Sequence, residues 1–212
     1  QDTLQSFISD GTSQAVRDRY ASLPEIAATM DFGDLDHNVV VLDTETTGFG
    51  PSAEILQLSI VNGLGEIVMN EYFRPARATC WPGAEAVNHI SPAMVAGKPL
   101  ISERKLGIEK ILHAAKIISG YNLPYDQKML IQNGIYIPSH SKVRYMDLMK
   151  PFAKTYGEPS SRYPGKYKYQ KLITCAKYYG YSEEGWHDSL ADTKATLYCF
   201  WKMVEDGSIC IE

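Results

Sequence analysis

Val39-Val40-Val41-Leu42-Asp43-Thr44-Glu45-Thr46-Thr47-Gly48 is the stretch on which the reading of this chain turns. Four apolar residues, three of them β-branched, predict a buried strand. The run then breaks into carboxylates and threonines and stops at Gly48. Side chains alternate faces along a strand, so Asp43 and Glu45 share one face, about 6.5–7 Å apart. At an effective dielectric near 20, two like charges about 6 Å apart repel by roughly 3 kcal/mol. A divalent cation with a taste for hard oxygen ligands, Mg²⁺ or Mn²⁺, would remove that cost. The alternative is a solvated strand end, where Asp, Thr and Gly open a turn. Other parts of the chain decide between the two.

Outward from this strand, Ile55–Asn62 and Glu66–Phe73 read as two more strands. Asn62-Gly63-Leu64-Gly65 joins them as a hairpin, so the sheet begins antiparallel. Arg74–Pro82 is irregular, and Ser91-Pro92 starts a short helix. Leu106–Lys116 is helical, with Ile108, Ile111, Leu112 and Ala115 on one face. Ile117–Tyr121 is a short buried strand, after which Asn122 caps a helix with Pro124 in its first turn. Val143–Met146 is the fifth strand, followed by helices over Asp147–Tyr156, Leu172–Tyr179 and Asp188–Val204. Helices alternating with the late strands predict an α/β fold, a mixed five-stranded sheet covered on both faces. The main domain spans 37–206. Residues 1–36 read as a helical extension or linker, with Thr12-Ser13 and Pro24 as possible helix starts, and 207–212 as a tail.

The chain has 212 residues and a net charge of −4, so contact with phosphates requires a local patch or bound cations. No apolar run approaches the roughly 20 residues of a membrane span, and no charged-then-apolar leader opens the chain. Cys80, Cys175, Cys199 and Cys210 form no C-x-x-C pair, which argues against zinc; Cys175 and Cys199 read as core thiols in a cytoplasmic protein.

Two further acids suit a shared site. Asp126 lies in the first helical turn after a buried strand, where ligands of open α/β sheets collect. Asp192 lies in the last helix, five residues after His187. Asp126 has a plain alternative as a first-turn carboxylate favoured by the helix dipole, Asp192 as a solvated helix residue and His187 as a loop residue without a role, while Asp147 and Asp188 read as helix-start residues. Asp43-Thr44-Glu45-Thr46-Thr47-Gly48 is similar to the first motif of the DnaQ-like 3′–5′ exonucleases. Asn122-Leu123-Pro124-Tyr125-Asp126 resembles their second motif, and His187 with Asp192 their third motif in its histidine form. The tyrosine form does not fit, because Asp188 stands four residues before Asp192. Ala86–Ser91 resembles the family's intervening region, with Asn88 where a histidine often stands and His89 at the following glycine.

The resemblance spans about Val39 to Val204 and implies a ribonuclease H-like fold. By it, Asp43, Glu45, Asp126 and Asp192 would hold two ions, Mg²⁺ or Mn²⁺, and His187 would act as base. Thr44, Thr46 and Asn88 would contact the terminal nucleotide. It implies release of nucleoside monophosphates from single-stranded 3′-ends, DNA favoured over RNA. The alternatives are an exoribonuclease and a non-cleaving module docked on a polymerase or helicase. Arg162, Lys166, Lys168 and Lys171 interleave with Tyr163, Tyr167 and Tyr169. That pattern suits unpaired nucleic acid, the alternative being a loop whose tyrosines pack on the domain. Trp81 and Trp186 are read as packing residues, with a wedge beside the substrate as the alternative.

Overall fold

The computed structural model describes residues 39–182 and 187–211. The expected extension over 1–36 and Trp186 lie outside the described residues. The element order is β1 (Val39–Thr46), β2 (Ile55–Asn62), β3 (Ile67–Tyr72), α1 (Pro82–Asn88), α2 (Pro92–Val95), α3 (Ile101–Ala114), β4 (Ile117–Gly120), α4 (Leu123–Gln132), β5 (Arg144–Asp147), α5 (Met149–Tyr156), α6 (Leu172–Tyr178) and α7 (Ser189–Glu205). One sheet of five strands has the order β3-β2-β1-β4-β5. The first three strands are antiparallel neighbours, and β4 and β5 run parallel to β1. The fold class read from the sequence is therefore the observed one.

Strand β1 is central and buried from both sides, which is why its apolar residues do not alternate with polar ones. Val39 and Val41 pack with Phe152, Phe200 and Trp201 beneath α5 and α7. Val40 and Leu42 pack with Ile108, Met129 and Leu130 beneath α3 and α4. The same alternation turns Asp43 and Glu45 toward the α7 side and Thr44 toward the α4 side. The hairpin between β2 and β3 closes as its sequence predicts: Gly65 N–H donates to the Asn62 carbonyl at 2.9 Å. Cys175 and Cys199 are buried free thiols, as expected of core residues.

Four local expectations are corrected. Helix α1 begins at Pro82, where the sequence predicts an irregular stretch, because Pro82 sets its first turn. Helix α3 begins five residues before Leu106, since the Glu103 carboxylate takes the Leu100 N–H at 2.8 Å and stabilises an earlier start. Asn122 makes no side-chain cap on α4. It adopts a left-handed backbone, φ 64°, a conformation that asparagine tolerates better than most residues. Its own N–H donates to Asp147 Oδ1 at 2.9 Å. Asp147 ends β5 instead of opening α5, and the same oxygen accepts the Met149 N–H. Just before Asn122, Gly120 is required by space. A Cβ there would meet the Leu42 carbonyl oxygen at 3.1 Å and press β4 away from β1 by a few tenths of an ångström.

Candidate active site

The carboxylates come together at the C-terminal end of β1. Oxygens of Asp43, Glu45 and Asp192 lie within 4.8 Å of one another. The first two come from β1 and the third from the first turn of α7. Helix α7 is held against the strand by Ser189, whose hydroxyl donates to the Asp43 carbonyl at 2.8 Å. Asp126, buried in the first turn of α4, comes from the other face of the sheet. Its Oδ1 accepts both the Thr44 N–H at 3.0 Å and the Thr44 hydroxyl at 2.7 Å. Its charge is the largest of those acting on Asp43.

Burial and mutual repulsion set the electrostatics. Asp43 is pushed well above the usual carboxylate range by burial first, then by the charges of Asp126, Glu45 and Asp192. Glu45 is pushed up to about 8 by burial and the charge of Asp192, against a lowering hydrogen bond from Asn88. Burial raises Asp126 too, opposed by the two Thr44 hydrogen bonds. Asp192 is raised to about 6 by burial, opposed by the charge of His187 and a hydrogen bond from the His187 backbone. Every shift favours the proton, a stand-in for missing positive charge.

His187 lies just before α7, exposed, with φ 70°. Asp188 then caps the helix, its Oδ1 accepting the N–H groups of Leu190 and Ala191 at 3.1 and 3.2 Å. It is the helix-start residue its position suggests. Gln57 and Tyr72, which the sequence reading passed over, donate to its other oxygen at 3.0 and 3.2 Å. Gln57 had a visible signal: a polar residue inside an apolar strand, paired in register with Glu45.

The threonines proposed for substrate contact are already engaged. Thr44 donates to Asp126, and the Thr46 hydroxyl lies 2.9 Å from the Gly48 carbonyl and 2.6 Å from the Tyr125 hydroxyl. Asn88 donates to the Thr46 carbonyl at 3.1 Å and accepts the Ile90 N–H. His89, next in sequence, has φ 59°, the conformation a glycine would supply. Beside Glu45 a pocket of about 460 Å³ opens between Thr46, Phe49, Trp81, Val87, Asn88 and Tyr125. Phe49 is 85% exposed, 5.7 Å from the Tyr125 ring. Trp81 is a packing residue: it is buried, and its indole N–H donates to the Ile90 carbonyl.

Residues 40–200 match the family model of the RNase T type, described as exonuclease. The chain belongs to that exonuclease family. It is 30% identical over 183 residues to the uncharacterized exonuclease CP81 of Escherichia phage 186, covering 82% of this chain and 92% of that one. It is 27% identical over 168 residues to RNA exonuclease 4 of Saccharomyces cerevisiae, covering 77% of this chain and 53% of that one. Among solved structures it resembles exonuclease X in complex with 5′ overhanging duplex DNA, with a TM-score of 0.62, 20% identity, and coverage of 81% and 94%. The E. coli ExoI–ssDNA complex gives 0.63 and 20% over 79% of this chain and 40% of that one. These neighbours share the ribonuclease H-like arrangement of sheet and helices.

The family is that of the DnaQ-like exonucleases, so the chain is a nuclease, and the family and the acidic cluster together imply dependence on a divalent cation. The residues fit such an ion. The cluster offers hard oxygen donors, as Mg²⁺ or Mn²⁺ prefers. Asp192 Oδ1 is buried and has no hydrogen-bond partner among the described residues. A buried carboxylate oxygen left in that state is costly unless a cation meets it.

Proposed function

We propose that the protein is a 3′–5′ exonuclease that removes nucleoside monophosphates from single-stranded 3′-ends, DNA before RNA. The observation that carries the proposal is the convergence of Asp43, Glu45 and Asp192, with Asp126 alongside, at the rim of an open pocket large enough for a nucleotide. Asp43, Glu45, Asp126 and Asp192 would hold two Mg²⁺ or Mn²⁺ ions. When bound, such ions supply charge stabilisation at the attacking and leaving oxygens of a phosphodiester.

The chain's own residues do the rest. Imidazole is the side chain that changes charge near neutrality. His187 is exposed, next to Asp192, and takes a proton from the attacking water. Water adds to phosphorus, the bond to the 3′-oxygen of the preceding nucleotide breaks, and that oxygen leaves. The terminal base enters the apolar pocket against Phe49 and Tyr125. Thr44, Thr46 and Asn88 form its wall through backbone and methyl groups, since their polar atoms are engaged. The direction follows the resemblance of the motifs to DnaQ-like 3′–5′ exonucleases, and the DNA preference leans on the ssDNA and overhanging DNA in the complexes of exonucleases I and X.

RNA is the second reading, favoured by the likeness to RNA exonuclease 4. A panel of 3′- and 5′-labelled DNA and RNA, single- and double-stranded, with Mg²⁺ or Mn²⁺, separates the two. Mononucleotides released first from the 3′-label of single-stranded DNA support the proposal. Faster release from RNA moves the substrate, and release from the 5′-label ends the directional claim. We also propose that residues 37–206 carry the catalysis and that 1–36 are an extension or linker outside it. A chain shortened before Val39 should then keep its cleavage rate.

A further inference from the structure

One stretch of the described surface carries charge opposite to that of the whole chain. Between Lys150 and Lys177 lie seven of the 21 Lys and Arg residues and one of the 25 Asp and Glu residues, in a chain of net charge −4. Residues 158–168 of this stretch form a short finger. Ser160 N–H donates to the Lys166 carbonyl at 2.8 Å, Lys168 N–H to the Glu158 carbonyl at 2.9 Å, and Pro159 bridges Tyr167. The tip turns at Gly165, φ 77°, a backbone conformation that favours glycine.

Tyr163, Tyr167 and Tyr169 are 53%, 46% and 56% exposed, so each keeps about half of its surface open to solvent. The Arg162 guanidinium and the Lys166 ammonium lie 5.4 and 5.8 Å from the Tyr163 ring centre. Glu158, the single anion, is taken up by Lys168 at 2.7 Å and Gln170 at 2.8 Å. Among the described residues, none provides an anionic partner for Arg162, Lys166 or Lys171. Exposed rings and unneutralised cations on one projection gain nothing for folding. They are the two elements that hold a single strand: cations for phosphates, and aromatic faces for unpaired bases.

The base of the finger is tied to the strand end that leads into α4. Tyr121, the residue after β4, donates its hydroxyl to the Gln170 carbonyl at 3.0 Å. Its neighbour Asn122 is tied to Asp147, and Asp126 follows in α4. The nucleotide pocket is formed from the end of β1, the loop after it, α1 and Tyr125 of α4.

We infer that this finger is a second nucleic-acid site, gripping the single strand upstream of the bond being cut. Arg162, Lys166 and Lys171 meet phosphates, and Tyr163 and Tyr167 stack on bases. The inference rests on the exonuclease reading for its geometry, and its test is separable from that reading. In an Asp43→Ala background, which cannot cut, the binding of a fluorescent oligothymidylate is measured against salt. Adding Arg162→Gln, Lys166→Gln and Lys171→Gln should weaken binding tenfold or more. The slope of log affinity against log salt should fall by about 2, as expected for three lost phosphate contacts on a single strand. Tyr163→Ala with Tyr167→Ala should weaken it by about tenfold, and Arg162→Lys should restore most of the loss due to Arg162→Gln. In the active chain, preference for a long oligonucleotide over a dinucleotide should shrink in parallel. Parent-like affinity and salt slope in the charge variant overturn the finger, whether or not the active chain cuts. Finger-dependent binding in a chain that releases no mononucleotide sustains the finger and fells the nuclease reading instead.

Discussion

Asp188 and Asp192 stand one turn apart at the start of α7, and they live in opposite states. Both oxygens of Asp188 are spoken for: two backbone N–H groups on one, Gln57 and Tyr72 on the other. Asp192 has an oxygen buried and unmatched among the described residues, and its proton affinity is raised. The two carboxylates share a helix and a sequence neighbourhood, so composition cannot rank them. Hydrogen-bond accounting can. Asp147 Oδ2 is buried and unmatched too, but the unmatched oxygen of Asp192 belongs to a residue clustered with Asp43 and Glu45, where a cation would meet it. Substitution should break the pair apart. Asp192→Asn should lower mononucleotide release by at least about 10²–10³, the loss typical of one fixed charge-stabilising group. It should raise the metal-free melting temperature, because it removes a repelling charge. Asp188→Ala should keep most activity at saturating metal. It should lower the melting temperature by about 2–4 °C for each kcal/mol of the roughly 0.5–2 kcal/mol a lost cap costs. Equal loss of activity in both variants would erase the distinction.

His187 sharpens the same comparison from the side of the proton. It touches Asp192 through its backbone, and its ring is exposed. His187→Ala should cost about 10²–10⁴ in turnover, the span for general acid–base catalysis. Mn²⁺ affinity, read by calorimetry on the same variant, should hold. Lost affinity would make the imidazole a ligand and not a base.

The fold was largely legible in the chain, and so was the outline of the site. The β-branched run at Val39–Leu42, the turn at Asn62–Gly65 and the spacing of Asp43 and Glu45 report local physics, and local physics survives in sequence. Three things did not. Helix α1 was hidden because Pro82 and Gly83 look like loop residues until tertiary packing selects the helix. Asn122 looked like a cap because sequence does not reveal that Asp147, from the next strand, would claim its N–H and turn the backbone left-handed. The engagement of Thr44 by Asp126 joins residues 82 positions apart, which no window on the sequence spans.

Acid should reverse the instability of the cluster in the metal-free protein. Glu45 rises from an ordinary 4.5 to about 8, and Asp192 from 3.8 to about 6. Between these limits the folded chain holds protons that the unfolded chain has released, so stability falls as pH rises. Below about 4 both states are protonated and the penalty vanishes; above about 8 it is complete. The metal-free melting temperature should therefore decline from pH 5 to pH 8. The rise on adding millimolar Mn²⁺ should grow over the same interval, since the ion competes with fewer protons. A flat profile would mean that the carboxylates are not crowded as the geometry requires.

The smallest effect concerns Asp126, intermediate between the two α7 carboxylates. One of its oxygens takes two hydrogen bonds from Thr44, and those bonds oppose the rise caused by burial. Thr44→Val keeps the shape and the backbone N–H and deletes the hydroxyl. Asp126 should then hold its proton more tightly and give it up less readily to a cation. A hydrogen bond to a charged group contributes about 1.5–3 kcal/mol, so the Mn²⁺ needed for half-maximal release should rise about tenfold at neutral pH. The gap should close at pH 9, where the carboxyl is ionised in both proteins. Thr44→Ser, which keeps the donor, should behave as the parent. A Thr44→Val deficit that persists unchanged at pH 9 would instead assign the threonine hydroxyl to the nucleotide, as one more wall of the pocket.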